Sequence, residues 1–180
     1  MLRSITLLTL LALAFGAVAD ETDLGAVTSL KVDLGQVVEL GTVSSVDGIT
    51  SAGQPDEAAL EVFADAGYAT VIDLRGEGEN RGMDEAAVVE DLGLHYVTLP
   101  IEGTEAVSFE NARKLDELLQ QYPGPVLVHC GSGNRVGALL ALRASLAGAD
   151  DETALARGRE GGLTSLDRVV RERLTEDDEQ

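Results

Sequence analysis

Cysteine and histidine are scarce in this sequence of 180 residues, which has one cysteine and two histidines. A single cysteine excludes a disulfide within the chain. The soft metal ligands are His95, His129 and Cys130, and their spacing matches no pattern of metal-binding sites. We therefore predict no bound metal and no other cofactor.

Basic residues are also few, since 13 lysines and arginines face 32 aspartates and glutamates, for a net charge of -19. So acidic a surface repels the phosphates of nucleic acids and of anionic lipids, and we expect neither as a partner. An anionic ligand would have to be held by a local group of donors. Nothing in the pattern indicates an oligomeric state.

Long hydrophobic runs are missing too. The longest, residues 5–15, falls short of the roughly 20 residues that cross a bilayer. It follows a basic start with Arg3, and Ala17-Val18-Ala19 comes next. This order predicts a bacterial signal peptide at residues 1–19, export to the periplasm and a mature chain that begins at Asp20. A retained membrane anchor is the alternative.

Strand and helix patterns alternate from residue 43 onward. Short β-branched or apolar runs, "ATVIDL", "LHYVTLPI" and "VLVH", are separated by helical patterns of ten to fifteen residues. This alternation predicts an α/β fold with a mainly parallel central sheet flanked by helices. We assign residues 20–42 to a lead-in segment, 43–174 to the domain and 175–180 to an acidic tail.

The chemistry is concentrated in "CGSGNR", residues 130–135, which follows the most hydrophobic strand. In an open α/β sheet this end of a strand is where ligands bind. Glycines allow the backbone to curl so that N–H groups and a helix N-terminus face an anion, and the same donors lower the pKa of a thiol. Arg135 adds a planar fork for two oxygens. The alternative is a buried cysteine beside an ordinary turn.

Four segments in this order, "GITSAGQP", "TVIDLR", "LHYVTLPI" and "HCGSGNR", resemble the phosphatase-like domain of bacterial β-lactamase-hydrolase-like proteins. That domain belongs to the protein tyrosine and dual-specificity phosphatase superfamily, and the resemblance covers residues 43–147. It implies a cysteine phosphatase fold and a phosphorylated protein or small phosphoester as substrate. Cys130 would form a phosphocysteine without a metal, and Arg135 would stabilise the transferring group. The resemblance also implies that backbone N–H groups bind phosphate at Gly131, Ser132, Gly133 and Asn134.

The loop departs from that superfamily in two ways. Four residues separate Cys130 from Arg135 instead of five, and the shorter loop is the length seen in rhodanese-like sulfurtransferases. Val136 stands where a hydroxyl residue usually assists release from the cysteine, a role that Ser132 would fill in part. A sulfurtransferase with a Cys130 persulfide is therefore one alternative function. A module that binds phosphate or sulfate without turnover is another.

The general acid has no aspartate candidate after "HYVTLPI", where the superfamily usually carries one. Glu102 is the first choice and Glu105 the second. The resemblance implies that His129 orients the loop through hydrogen bonds. Arg75 either adds positive potential to the site or forms a surface salt bridge.

Overall fold

The computed structural model describes residues 44–46, 49–122 and 124–178. The predicted signal peptide and lead-in segment, residues 1–19 and 20–42, lie outside the described residues, so both stay predictions. No helix within the described ranges is long and apolar enough to cross a membrane.

The described chain alternates strands and helices along its length. The strands are β1 (Ser44–Val46), β2 (Ile49–Ala52), β3 (Thr70–Asp73), β4 (His95–Thr98) and β5 (Val126–His129). The helices are α1 (Glu57–Asp65), α2 (Glu85–Asp91), α3 (Phe109–Gln121), α4 (Asn134–Leu146), α5 (Asp151–Glu160) and α6 (Asp167–Asp178).

The five strands form one sheet in the order β1-β2-β5-β3-β4. The strands β2, β5, β3 and β4 run parallel, and β1 pairs antiparallel with β2 at the edge. In register, Val128 of β5 lies between Ser51 of β2 and Ile72 of β3. The prediction of a mainly parallel sheet with flanking helices is confirmed.

The central strand β5 separates two apolar layers. Val126, Val128 and Cys130 face the larger layer, which α3, α4, α5 and α6 complete, whereas Leu127 belongs to the layer formed with α1 and α2. Successive side chains alternate between the faces of a strand, so burial on both faces explains why β5 is apolar throughout. The buried strand therefore fixes the position of Cys130 at the carboxyl edge of the sheet.

The structure extends the sequence prediction at two places. Strand β2 was not predicted, since "ITSA" has no apolar run, and pairing with β1 and β5 makes it a strand. Helix α6 was expected to end near residue 174 and continues to Asp178, into the predicted acidic tail. Its last turn is supported by the Thr175 hydroxyl, which donates to the Arg171 carbonyl, and by the ion pair between Arg173 and Glu176.

Candidate active site

The loop after β5 directs one backbone N–H at the sulfur of Cys130, a residue that is 1 % exposed. The N–H of Gly133 donates to Sγ of Cys130 over 3.1 Å. Gly133 has a φ of 84°, in the left-handed region that glycine adopts without strain. Its Cα packs near the carbonyl of Ala52 and against Gly162. The left-handed turn thus favours glycine at this position, and the N–H of Gly133 points at the thiol.

Helix α4 begins without a side-chain cap. Helices α1, α2, α3 and α5 are capped by the side chains of Asp56, Asp84, Ser108 and Asp150, each of which accepts a backbone N–H of the first turn. Helix α4 starts after Gly133 with no such bond and no acidic residue in its first turn. The first N–H groups of a helix have no partner inside it. The uncapped end beside Cys130 is therefore open to an external anion.

Arg135 lies over this loop in an orientation fixed by Glu79. Its Nη1 and Nη2 bind the two oxygens of the Glu79 carboxylate, Nη2 over 2.7 Å, and Nη1 also donates to the Ile101 carbonyl over 3.3 Å. A Cβ placed on Gly131 would lie 3.6 Å from Nη2, so the guanidinium folds back over the start of the loop. Among the described residues, no hydrogen bond to a carboxylate or carbonyl is made by Nε. Arg135 also lies close enough to Cys130 to interact with it, so the guanidinium faces the loop in which the sequence predicts a bound anion.

The loop after β3 holds Glu79 in place. The N–H of Gly76 donates to Oε1 of Glu79 over 2.8 Å. Hydrogen bonds from Arg135 lower the pKa of Glu79 to about 2 against the opposing effect of burial. The same hydrogen bonds raise the pKa of Arg135 above its ordinary value. The pair is therefore fully ionised near neutral pH and orients the guanidinium.

A cavity of about 430 Å³ opens beside Arg135. Its walls include the side chains of Glu79, Glu102, Ile101 and Leu166. The Glu102 carboxylate accepts the N–H of Glu77 over 3.2 Å and occupies the space that a side chain at Gly76 would take.

The two predicted acids are placed differently. Glu102 lines the cavity, whereas Glu105 is 93 % exposed and pairs with Arg173 over 3.2 Å. The structure therefore places Glu102 nearer to a ligand held by Arg135, and its role as general acid stays a prediction.

Asn134 fixes the opposite wall of the cavity through its side chain. Its Oδ1 accepts the N–H groups of Thr164 and Leu166, and its Nδ2 donates to the Ser165 hydroxyl over 2.8 Å. This leaves its backbone N–H for the predicted contact with an anion. Ser132 is exposed at the loop tip, and Val136 is buried.

Arg75 belongs to a buried network on the other side of β3. It donates to Asp73 over 2.9 and 3.0 Å and binds Glu85, and all three residues are at most 1 % exposed. Arg75 thus forms salt bridges with acidic residues, as one alternative expected, but the prediction that they lie at the surface is wrong, because all three side chains are buried. The other alternative, added potential at the site, stays a prediction, since the Arg75 side chain does not line the cavity.

His129 joins the same network rather than the cavity. Its Nε2 lies 2.8 Å from an oxygen of Glu85, off the line of a good hydrogen bond, and 3.9 Å from Asp73. Burial raises the pKa of Asp73, but hydrogen bonds from Arg75, the charge of His129 and a bond from Tyr96 together lower it to about 2. Among the described residues neither ring nitrogen of His129 has a hydrogen-bond partner, so its expected role in orienting the loop through hydrogen bonds stays a prediction.

Asp73, Glu85 and His129 place three possible metal-ligand atoms within 4.8 Å of one another. Arg75 already binds both carboxylates, and Arg81 donates to Asp73 over 3.0 Å. Guanidinium groups thus pair with both carboxylates, and Nε2 of His129 lies 2.8 Å from the second oxygen of Glu85, so we interpret the cluster as an ion-pair network.

Sequence reasoning missed Glu79 and Glu85. The partner of Glu79 is far away in the sequence, since Arg135 follows it by 56 positions, whereas Glu85 and its partner Arg75 are 10 positions apart. One local signal was available for Glu79, because "RGEGENRG" places it in a glycine-rich loop at the carboxyl end of a strand.

Solved structures share this fold, and curated proteins match part of the sequence. A β-lactamase hydrolase-like protein from Xylella fastidiosa (strain Temecula1) is 36% identical over 94 residues, which are 50% of this chain and 22% of that protein. The chain therefore spans about a fifth of the length of this relative. A DUF442 protein from Shewanella putrefaciens CN-32 is 20% identical, with a TM-score of 0.60, over 79% of this chain and 92% of that one. TpbA from P. aeruginosa, crystallised as a variant with pTyr, is 20% identical, with a TM-score of 0.52, over 73% of this chain and 87% of that one.

The family model described as "DSP-PTPase phosphatase fused to NAD+ Kinase" matches residues 40–166, a range that contains the sheet, the cysteine loop and the cavity. This match covers well over half of the chain. The chain therefore belongs to this family of dual-specificity and tyrosine-type phosphatases.

Proposed function

We propose that this chain hydrolyses phosphomonoesters through a phosphocysteine on Cys130. The observation that carries the proposal is the uncapped N-terminus of α4, where the Gly133 N–H contacts the Cys130 sulfur and Arg135 lies close to both Glu79 and Cys130. These groups supply the anion cradle, nucleophile and charge clamp that phosphoryl transfer needs.

The reaction would proceed in two displacements. Sγ of Cys130, as a thiolate, attacks phosphorus while the bond to the leaving oxygen breaks, and that oxygen takes a proton from Glu102. Water then attacks the phosphocysteine, gives a proton to the Glu102 carboxylate and releases inorganic phosphate with the regenerated thiolate. Arg135 would contact two equatorial oxygens in both steps, held in line by Glu79.

The substrate is proposed to be a phosphorylated protein or a small phosphoester. Ile101 and Leu166 give the cavity an apolar wall for the organic part of the ester. A complex of P. aeruginosa TpbA with pTyr supports an aryl phosphate as the first ligand to test. The leader-like residues 1–19 support a periplasmic site of action.

The six-residue loop favours sulfur transfer as a second candidate function. With only four residues between Cys130 and Arg135, the cradle is one N–H group smaller than in ordinary tyrosine phosphatases. A persulfide on Cys130 would then be the intermediate.

Assays of the purified, reduced protein separate these functions. We expect release of phosphate from an aryl phosphate, and an acid-quenched sample should carry one phosphoryl group on the peptide that contains Cys130, measured by mass spectrometry. Transfer of sulfur from thiosulfate to cyanide without phosphate release would instead establish the sulfurtransferase. Binding of phosphate with neither activity would establish a non-catalytic module.

The Glu102→Gln substitution tests the general acid. Since a good leaving group departs without a proton, we expect kcat/KM for an alkyl phosphate to fall by about 10²-fold and that for a nitrophenyl phosphate to change little. The Glu105→Gln variant is the matched control, because Glu105 lies in the same loop, is exposed and does not line the cavity. An equal effect of Glu102→Gln on both substrates would remove Glu102 from the mechanism.

A further inference from the structure

The cavity beside Arg135 presents a single cation to a ligand. Among the described residues that line it, the charged side chains are Arg135, Glu79 and Glu102. Glu79 is ionised and bound to the Arg135 guanidinium. The walls therefore carry one more negative charge than positive when Glu102 is ionised, before any charge on Cys130 is counted.

Other basic residues near this edge have no donor directed at the cavity. Arg75 is buried with Asp73 and Glu85. Arg81 donates from Nε to Asp73 and from its terminal nitrogens to the carbonyls of Arg75, Gly76 and Glu79.

The same holds on the far side of the cavity. Arg173 binds Glu105, Glu176 and the Val107 carbonyl. Among the described residues that line the cavity, Arg135 is thus the one guanidinium that could hold a phosphate.

The rim of the cavity adds negative charge. Glu77 is exposed, and its backbone N–H contacts the Glu102 carboxylate. Like charges brought into such a cleft repel one another, and opposite charges raise the rate and strength of association.

We infer that the site selects phosphoesters with one phosphate group whose neighbouring charges are neutral or positive, and that Glu77 and the pairing of Arg135 with Glu79 exclude ligands carrying a second phosphate. The inference rests on the site assigned in the proposed function and names its substrate class. A phosphorylated residue in a basic segment of a protein fits this description. Inositol polyphosphates and nucleoside polyphosphates do not.

Binding to the Cys130→Ser variant tests this selection without turnover. Three phosphotyrosine peptides of equal length would be compared by calorimetry at low salt: one with neutral neighbours, one with two adjacent lysines, and one with an adjacent phosphoserine. We expect the lysine peptide to bind roughly threefold tighter than the neutral peptide, and the phosphoserine peptide roughly tenfold weaker. Both differences should shrink as salt is added.

Charge reversal locates the effect. The Glu77→Lys substitution should bring the phosphoserine peptide to within about threefold of the neutral one. The control is Glu90→Lys, which makes the same change of charge at an exposed position in the last turn of α2. This helix leads to the amino end of β4, at the edge of the sheet opposite the cysteine loop. The control should leave the difference in affinity between the two peptides unchanged.

The outcomes separate the inference from the proposed function. Equal or tighter binding of the phosphoserine peptide, equal effects of the two charge reversals, or no binding of any peptide would overturn the inference. A wild-type protein that binds the peptides in the expected order but releases no phosphate would instead overturn the proposed hydrolysis and leave the inference standing.

Discussion

Replacing Cys130 with serine is expected to lower phosphate release from an aryl phosphate by about 10⁴-fold or more, because an un-ionised hydroxyl is a far weaker nucleophile than a thiolate. The serine oxygen can still accept the Gly133 N–H that now bonds to Sγ at 3.1 Å. The loop should therefore keep its shape. Initial rates of phosphate release measure the loss.

Binding provides the control for this variant. Inorganic phosphate should bind to Cys130→Ser about as tightly as to the wild type, since Arg135 and the uncapped N-terminus of α4 are unchanged. Calorimetric titration would show it. Retained phosphate release in the variant would exclude Cys130 as the nucleophile. If neither protein released phosphate, the non-catalytic binding module would be favoured.

The cysteine loop was predictable because its signals are local. A buried run, a turn of small residues and a helical pattern follow one another in "VLVHCGSGNRVGALLAL". Together they place Cys130 at the end of β5 and predict a helix that begins near Arg135. In the structure, α4 begins one residue earlier, at Asn134. The absence of a capping side chain before α4 was not predicted, since a helix that begins at Arg135 would have Asn134 as its N-cap, whereas the structure places Gly133 there.

The partners of the loop were not predictable, because contacts across the sheet select them. Glu79 and Glu85 are two of 32 acidic residues, and nothing in their immediate neighbours marks one for Arg135 and the other for a buried arginine. The strand β2 was not predictable for the same reason. Its four residues have mixed polarity, and they form a strand because they pair with β1 and β5. The position of Glu102 over Gly76 likewise depends on how two loops meet at one edge.

Arg75→Met is expected to destabilise the protein by about 3–5 kcal/mol, because it leaves two buried carboxylates without their shared cation. Asp73 and Glu85 are at most 1 % exposed and both bind the Arg75 guanidinium. Methionine fills much of the same volume, so the loss would reflect charge more than packing. Urea unfolding near neutral pH measures the difference in free energy.

The matched control is Arg168→Met, which breaks an exposed ion pair with Glu172 and should cost at most about 0.5 kcal/mol.

Unfolding measured at a series of pH values provides a second test of the Arg75→Met variant. The folded pKa of Asp73 is about 2, below its ordinary value of 3.8, so its ion pairs stabilise the wild type above about pH 4, and this stability is lost as the pH falls through 2. In Arg75→Met the Asp73 carboxylate takes up a proton more readily. The difference in the free energy of unfolding between variant and wild type should therefore narrow as the pH falls from about 4 to 2. If this difference in the free energy of unfolding is small at neutral pH, or stays constant down to pH 2, Arg75 contributes through packing rather than through charge.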